Sequence, residues 1–205
     1  MRKILSMTAI AVFLTVLITS FKSLPPSEND LIHVKNKVFE VEYSQKLEQP
    51  VWLVYTSTNR PTKVNRGSMD FYTEPNIKTS DAADYKANEW DKGHLAPAAT
   101  FSDNNENLKQ TFTYLNCALQ QQDLNRGEWR LLEEQERVWD DKEPLTIKID
   151  LIFTKNSQIL PTGATIPTSF VKHIHFDKTN VWKCYSFVNA KPTKKWLDCE
   201  IKCKH

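Results

Sequence analysis

Several short segments of the chain alternate apolar and polar residues with the two-residue period of a β-strand, and one longer segment has the wider apolar spacing of a helix. These segments follow one another without a regular strand–helix–strand repeat. The sequence therefore predicts an α+β fold with a mixed or antiparallel sheet. Strands are expected over residues 37–43, 51–55, 146–153 and 181–188, with a further edge of the core at 166–174.

The helical segment begins near Leu124, and its apolar stripe consists of Trp129, Leu132, Gln135 and Trp139. Asn125 stands where an N-cap would satisfy the first backbone amides. Acidic residues crowd the middle of the segment, so most of it is expected to face solvent. The shorter elements predicted are a loop over 59–80, a helix over 105–111 and a strand over 112–115.

The N-terminus has the organisation of an export signal. Arg2 and Lys3 precede an uncharged, mostly apolar run. That run has about 15 residues, fewer than the roughly 20 that a membrane-spanning helix needs. The expected organisation is a cleaved signal at 1–20, a flexible lead-in at 21–36 and a single domain at 37–205. A secreted or periplasmic location without stable membrane insertion follows, and an uncleaved membrane anchor is the alternative.

Charge is distributed unevenly along the chain. Residues 1–20 hold two bases and no acid, so without them the 27 Lys and Arg fall to 25 and equal the 25 acids. Net charge therefore does not by itself indicate a nucleic-acid binder. Residues 151–205 hold nine Lys and three acids. These lysines either form a face that attracts phosphate or are scattered and solvated.

The four cysteines divide into a late cluster and one isolated residue. Cys184, Cys199 and Cys203 lie close together in sequence, which predicts a disulfide among them in an exported protein and leaves the pairing open. Cys117 lies apart and is expected to be a buried thiol. The chain has no paired CxxC, so the cysteine spacing is not typical of a zinc site.

The segment DKGHLAPAA at 91–99, followed by LNRGEW at 124–129, contains residue types suited to phosphodiester hydrolysis. That reaction needs a base for water, a cation that neutralises phosphate charge and stabilisation of the leaving oxygen. His94 can be the base near pH 7, and an amide oxygen such as that of Asn125, with waters, suits Mg²⁺. Taken alone, a His near an Asp more often has a structural role, and Asn125 could be only an N-cap.

The segment 91–99 resembles the D-R-G-H-x-x-P signature of the DNA/RNA non-specific endonuclease family, whose active site is a ββα-metal element. The resemblance continues at Asn116 and Gln120, which match an Asn-x-x-x-Gln segment, and at 124–129 with Leu-Glu at 132–133. Weaker likenesses are Arg66 with Asp70 and Phe71, and residues 164–174. Several motifs in the right order, over roughly residues 38–190, are more specific than any one of them.

The resemblance implies a role for each matching residue. His94 matches the general base, Asn125 the direct protein ligand of Mg²⁺ (with Mn²⁺ as a substitute), and Glu133 a carboxylate that positions metal-bound waters. Eight helical residues rise about 12 Å, in keeping with a water between Glu133 and a metal at Asn125. Arg66 matches an arginine that stabilises phosphate charge. Asp91 is expected to orient the site rather than to transfer a proton.

Lys92 departs from the family pattern, because it stands where an arginine is usual. The charge is kept but the planar two-pronged grip on a phosphate is lost, so a weaker phosphate contact is expected. His173 and His175 alternate in a predicted strand, and a metal site at this pair is a less favoured alternative to structural roles.

The favoured hypothesis is an exported Mg²⁺-dependent endonuclease that cuts DNA and RNA without regard to sequence. The rival, suggested by Lys92 and by the near-zero net charge, is an exported nucleic-acid-binding protein with the same fold and impaired catalysis. A hydrolase of another phosphodiester is a third option.

Overall fold

The computed structural model describes residues 30–203. The expected signal at 1–20, most of the expected lead-in and His205 lie outside this range. Within it, no helix is long and apolar enough to span a membrane.

Two antiparallel sheets organise the described residues. A seven-stranded sheet has the order β1-β2-β3-β6-β7-β8-β9, and a separate two-stranded sheet pairs β4 with β5. Every strand pairing is antiparallel, which confirms the predicted fold class. The strands are β1 Leu31–Lys35, β2 Phe39–Ser44, β3 Gln49–Ser57, β4 Trp90–His94, β5 Cys117–Gln121, β6 Leu145–Ile152, β7 Ser169–Phe176, β8 Val181–Val188 and β9 Glu200–Ile201.

The helices follow β5 or lie in short connections. Helix α1 (Asn105–Gln110) confirms the predicted short helix. Helix α2 (Gln122–Leu124) continues through a wide π-helical turn (Asn125–Trp129) into α3 (Arg130–Asp140). Short 3₁₀ turns occupy Ala82–Tyr85, Ala98–Phe101, Tyr114–Asn116 and Trp196–Cys199. Helix α3 contacts β3 and β6, so the long helical segment covers one face of the large sheet.

Alternation of the strand residues fixes the core. Phe39, Val41 and Tyr43 of β2 are buried as their spacing predicts. Trp129 at the start of the helix is buried against Phe170 and Phe187, with ring centroids 5.4 and 5.5 Å away. Burying a large apolar side chain contributes about 1.5–3 kcal/mol, so this contact holds the helix firmly to the sheet.

Two local predictions are wrong. Residues 31–35, assigned to the lead-in, form β1, because Leu31 to Lys35 pair in register with Ser44 to Glu40. Residues 112–115, predicted as a strand, lead instead into the turn Tyr114–Asn116. Thr113 caps this turn through a hydrogen bond from the Leu115 N–H to its side chain, so local capping outweighs the strand-like composition.

The N-cap prediction for the helix is also corrected. Asn125 is not an N-cap, because it has helical backbone angles, and the Gln121 side chain instead accepts from the amides of Asp123 and Leu124 at 2.8 and 3.1 Å. The acidic face is not all solvated, because Glu136 and Asp140 are buried. Each has a buried hydrogen-bond partner from the sheet, which the sequence spacing does not reveal.

The cysteine predictions are confirmed. Cys184 and Cys203 form a disulfide that ties the end of the described chain to β8. Cys117 and Cys199 are buried free thiols. One lysine of the basic C-terminal third, Lys172, is fully buried and so contributes nothing to a surface that attracts phosphate.

Candidate active site

The two-stranded sheet carries the DKGH segment, with Asp91, Lys92 and His94 all on β4. Gly93 lies opposite Ala118 of β5, close to the buried Gln120 side chain. A Cβ atom added at Gly93 would lie 2.4 Å from Gln120 Oε1 and 2.7 Å from Gln120 Cβ. Only glycine fits beside Gln120, so this position fixes how closely the strands approach next to His94.

His94 is held between aromatic rings at the end of β4. Its ring centroid lies 4.6 Å from that of Phe71 and 4.9 Å from that of Phe112. The residue keeps some exposed surface, but its Nε2 atom is inaccessible and has no hydrogen-bond partner among the described residues. Burial, reinforced by the charge of Arg66, lowers the pKa of His94 to about 3. The imidazole is therefore neutral at pH 7.

Asn116 fixes the backbone that follows His94. Its side-chain oxygen accepts from the Ala96 N–H at 2.7 Å, and its side-chain nitrogen donates to the carbonyls of Ala96 and Thr111, both at 2.9 Å. The Asn116 side-chain amide is thus buried, and both its nitrogen and its oxygen are hydrogen-bonded. The Asn-x-x-x-Gln segment at 116–120 therefore stabilises the site. Asn116 fixes the backbone at Ala96, and Gln120 packs on Gly93.

Asp91 joins β4 to the π-helical turn. Its carboxylate accepts from Asn125 Nδ2 at 2.9 Å and from two nitrogens of Arg126 at 2.8 and 2.6 Å. Because the amide nitrogen of Asn125 is engaged by Asp91, its oxygen is turned to the opposite side and can serve as a ligand. The structure thus places Asp91 in direct contact with the Asn125 amide, and its role in the reaction stays a prediction.

Glu133 lies two turns beyond Asn125, near the start of α3. Burial is the main cause that raises its pKa to about 7, and the Lys172 charge opposes this shift. Its Oε1 atom is buried without a hydrogen-bond partner, and the Trp129 indole N–H faces it without regular hydrogen-bond geometry. Within the described residues, no hydrogen bond joins Glu133 to the other predicted site residues. This carboxylate is therefore available to a group that enters the site.

The two basic residues are held by the same aromatic cluster. The Arg66 guanidinium carbon lies 5.0 Å from the Phe112 ring, and Arg66 donates to the Met69 carbonyl at 3.3 Å. Lys92 Nζ donates to Asp70 Oδ1 at 2.7 Å and lies 5.9 Å from the Phe71 ring centroid. Lys92 is therefore engaged by a carboxylate, which adds a physical reason for the weak phosphate contact expected of it.

Sequence reasoning missed three contributors to this geometry, namely Phe112, Tyr114 and Arg126. Phe112 lies between Arg66 and His94, and the Tyr114 ring lies 5.7 Å from Lys92 Nζ. Arg126 is the second partner of Asp91. Aromatic residues and an exposed arginine carry no distinctive sequence signal, so only the fold identifies them.

The residues at the site fit a hydrated divalent cation. The Asn125 amide oxygen is a hard ligand, and the unpartnered Glu133 Oε1 is a buried acceptor that lacks a donor in the protein. Residues 30–203 contain no cluster of three or more His, Cys, Asp or Glu that could hold a metal by itself. A site that consists of one amide oxygen and waters needs no such cluster.

The alternative metal pair at His173 and His175 is wrong. His175 Nδ1 contacts Asp177 and its Nε2 contacts Asn180, both at 2.9 Å. His173 contacts Asp150 at 3.0 Å and Cys184 Sγ at 3.3 Å. Protein groups therefore occupy both nitrogens of each ring.

Known proteins resemble this chain in sequence. Over 120 residues it is 28% identical to the human mitochondrial nuclease EXOG, an alignment that covers 52% of this chain and 33% of that protein. Over 76 residues it is 34% identical to the bovine mitochondrial endonuclease G, covering 36% of this chain and 25% of the relative. The alignments thus span about a third or less of the length of these relatives.

The fold also resembles a solved structure of an EndoG/EndoGI complex. The TM-score is 0.74 at 20% identity, covering 83% of this chain and 80% of the other. The sequence profile of the DNA/RNA non-specific endonucleases matches residues 21–204, nearly all of the chain beyond the expected signal. This match extends over both sheets, the helix and all six predicted site residues, and the chain therefore belongs to the DNA/RNA non-specific endonuclease family.

Proposed function

We propose that this protein is a metal-dependent endonuclease that hydrolyses phosphodiester bonds in DNA and RNA. One observation carries the proposal: β4 carries the neutral, partly exposed His94 imidazole at one end, and at the other end Asp91 orients the amide of Asn125. Family membership supports the same activity. The six residues predicted from sequence would then share one reaction.

In the proposed reaction, the His94 imidazole takes a proton from a water molecule whose oxygen attacks phosphorus. The bond between phosphorus and the 3′ oxygen breaks, which leaves a 5′ phosphate, and the departing 3′ oxygen takes a proton from a solvent water to become a hydroxyl. Arg66 balances negative charge on the phosphate, and Glu133 accepts hydrogen bonds from waters at the site. Mg²⁺, or Mn²⁺ in its place, would be held by the Asn125 amide oxygen and would neutralise charge on the phosphate and the departing oxygen.

Recognition is expected to involve the nucleic-acid backbone rather than the bases. Arg66 and Lys92 are both positioned by aromatic rings near His94. Contacts of such cations with phosphates carry no base information, so cleavage should be insensitive to sequence and strongly dependent on salt.

A catalytically impaired binding protein is the second candidate. The observation in its favour is the ion pair between Lys92 and Asp70, which competes with any contact between Lys92 and a phosphate. It predicts binding of nucleic acid without cleavage in either Mg²⁺ or Mn²⁺.

One experiment separates these candidates. Purified protein comprising residues 21–205 is incubated with plasmid DNA and with RNA, in Mg²⁺ and in EDTA. The endonuclease proposal expects cleavage of both polymers in Mg²⁺ alone, and a loss of about 10²–10⁴-fold in His94→Ala, the range typical of a general base. His33→Ala, which changes an exposed histidine, is the matched control. Wild-type cleavage by His94→Ala, or cleavage that survives EDTA, would refute the mechanism.

We also propose that residues 1–20 direct export and are removed. The charged head and apolar run support this, as does the Cys184–Cys203 disulfide, since disulfides persist in oxidising compartments. Edman or mass-spectrometric sequencing of the exported protein should find Phe21 at the N-terminus. Recovery of the intact residues 1–20 in the membrane fraction would support an anchor instead.

A further inference from the structure

A groove of about 580 Å³ adjoins the candidate active site on the side of Arg66. One wall is the loop 62–66, and the other is the turn Ala98–Phe101 that follows the DKGH segment. Leu108 of α1 lies at its base. We call it the 62–66 groove. A volume of this size is sufficient for a bound group the size of a nucleotide.

The groove is continuous with the catalytic residues. Arg66 belongs to the lining and also stacks on Phe112, whose ring contacts His94. The other wall begins only four residues after His94. A polymer whose scissile phosphate lies at His94 and Arg66 would therefore pass directly into the groove.

The walls are joined to each other by the backbone. The amides of Lys63 and Val64 both donate to the Ser102 carbonyl, at 2.8 and 3.0 Å. The Ser102 hydroxyl, itself buried, donates to the Ala99 carbonyl at 3.0 Å. These bonds fix the loop against the turn, so the groove is formed before a ligand binds and less ordering is required on binding.

The lining combines positive charge with aliphatic surface. Lys63 and Arg66 contribute exposed cations, while Val64, Ala98 and Ala99 contribute small apolar groups. None of the described residues that line the groove is acidic. Asp103 lies just beyond Ser102, but both of its carboxylate oxygens accept from the side chain of Asn107.

This combination suits one unit of a nucleic-acid chain. The apolar faces of a sugar and a base can pack on the small side chains of the groove. The adjoining phosphate is anionic and can pair with its cations. Contacts of this kind do not discriminate among bases, in keeping with an enzyme that is indifferent to sequence.

We propose that the 62–66 groove is a subsite for the nucleotide next to the scissile phosphate, with Lys63 at the neighbouring backbone phosphate. The proposal rests on the proposed endonuclease function and names the path that the bound substrate chain follows beyond the scissile phosphate. Ala99 is exposed at the mouth of the groove, so a large side chain there would fill the subsite without entering the core.

The test measures binding and cleavage separately. Binding of a fluorescent 12-nucleotide single-stranded DNA is followed by anisotropy in EDTA, and cleavage of the same DNA is followed in Mg²⁺. Ala99→Trp fills the groove, with Ala99→Leu as a milder version, and Ala82→Trp at an exposed 3₁₀ turn is the size-matched control. Lys63→Ala removes the charge, and the exposed Lys142→Ala is its control. Circular dichroism verifies folding of each variant.

Ala99→Trp should raise both Kd and KM about tenfold while kcat changes less than about threefold, with Ala99→Leu intermediate. Lys63→Ala should reduce the slope of log Kd against log salt by about 0.7, the value for one phosphate contact on a single strand. Both controls should match the wild type. Wild-type Kd and KM in Ala99→Trp, or a fall in kcat alone, would overturn the subsite.

The two proposals fail in different ways. If the wild type does not cleave in Mg²⁺, the endonuclease function fails, yet a tenfold weaker anisotropy binding by Ala99→Trp would still support a nucleic-acid groove. If the wild type cleaves and all variants bind as it does, the endonuclease function stands and the subsite fails.

Discussion

Two regions of helix α3 bury carboxylates in opposite ways. At the end nearest the candidate active site, Glu133 has an oxygen without a partner and a pKa raised to about 7, mainly by burial. One turn further, Glu136 accepts from Lys172 at 2.8 Å and from the Tyr55 hydroxyl at 2.7 Å. The first carboxylate is buried at a net cost in stability, whereas the second is fully paired.

The difference in pairing separates a glutamate that is expected to act in the site, Glu133, from one that stabilises the fold, Glu136. Glu136 and Lys172 neutralise one another between helix and sheet, with the Lys172 ammonium 4.1 Å from the Trp129 ring centroid. Glu133 has no such partner, because the groups that could satisfy it are expected to enter with water, metal and substrate. Uncompensated burial persists at sites where function needs it.

The largest expected effect is at the paired end. Glu136→Gln leaves the buried Lys172 ammonium without its hydrogen-bonded counter-charge, so the free energy of unfolding should fall by about 3–5 kcal/mol. Urea denaturation at pH 7 measures the change. The double variant Glu136→Gln with Lys172→Met should recover much of the loss, because both charges are then gone. Equal destabilisation in the single and double variants would show that the pair is not the cause.

The same substitution at Glu133 should change the free energy of unfolding in the opposite direction. A folded-state pKa near 7, above the ordinary glutamate value of 4.5, means that the wild type loses stability as pH rises from 4.5 through 7. Glu133→Gln avoids this loss and should be more stable by about 3 kcal/mol at pH 8–9 in EDTA, with little difference near pH 4.5. Its cleavage activity should fall about 10–100-fold. A variant less stable than wild type at pH 9 would contradict the contrast with Glu136.

His94 extends the comparison to acid pH. Its folded pKa of about 3 lies below the ordinary histidine value of 6.5, so the unfolded chain takes up a proton that the folded protein does not as pH falls below 6.5. The wild type should lose about 2 kcal/mol from this group between pH 6.5 and 5. His94→Gln, measured by urea midpoints over the same range, should lack that part of the slope. Parallel stability profiles for the two proteins would refute the neutral buried state.

The smallest effect is expected at Arg126, which shares Asp91 with Asn125. Its side chain is 65% exposed, and solvent screens ion pairs of this kind, so the pair contributes little to stability. Arg126→Ala should therefore lower cleavage less than about fivefold in initial-rate assays, since Asp91 still holds the Asn125 amide. Asp91→Ala, which releases that amide, should lower it more. Equal losses in the two variants would mean that Arg126 acts on the substrate itself.

Most elements could be predicted from sequence, because strand alternation and the helical stripe arise from the requirement that one face be buried. The exceptions include one segment where strand pairing and one where local capping outweighed composition. Residues 31–35 read as lead-in but pair with β2, and residues 112–115 read as a strand but are led into a turn by Thr113. Short segments give too few periods to distinguish these outcomes.

The sequence alone determined the fold class, the family and the six candidate residues, since each depends on the order and spacing of residue types along the chain. Which charges are paired, by contrast, depends on the fold. The Asp91–Asn125 contact, the Lys92–Asp70 pair and the Lys172–Glu136 pair join residues 34, 22 and 36 positions apart. Whether a buried polar group acts as support or as part of a site depends on such distant partners, and sequence spacing contains no record of them.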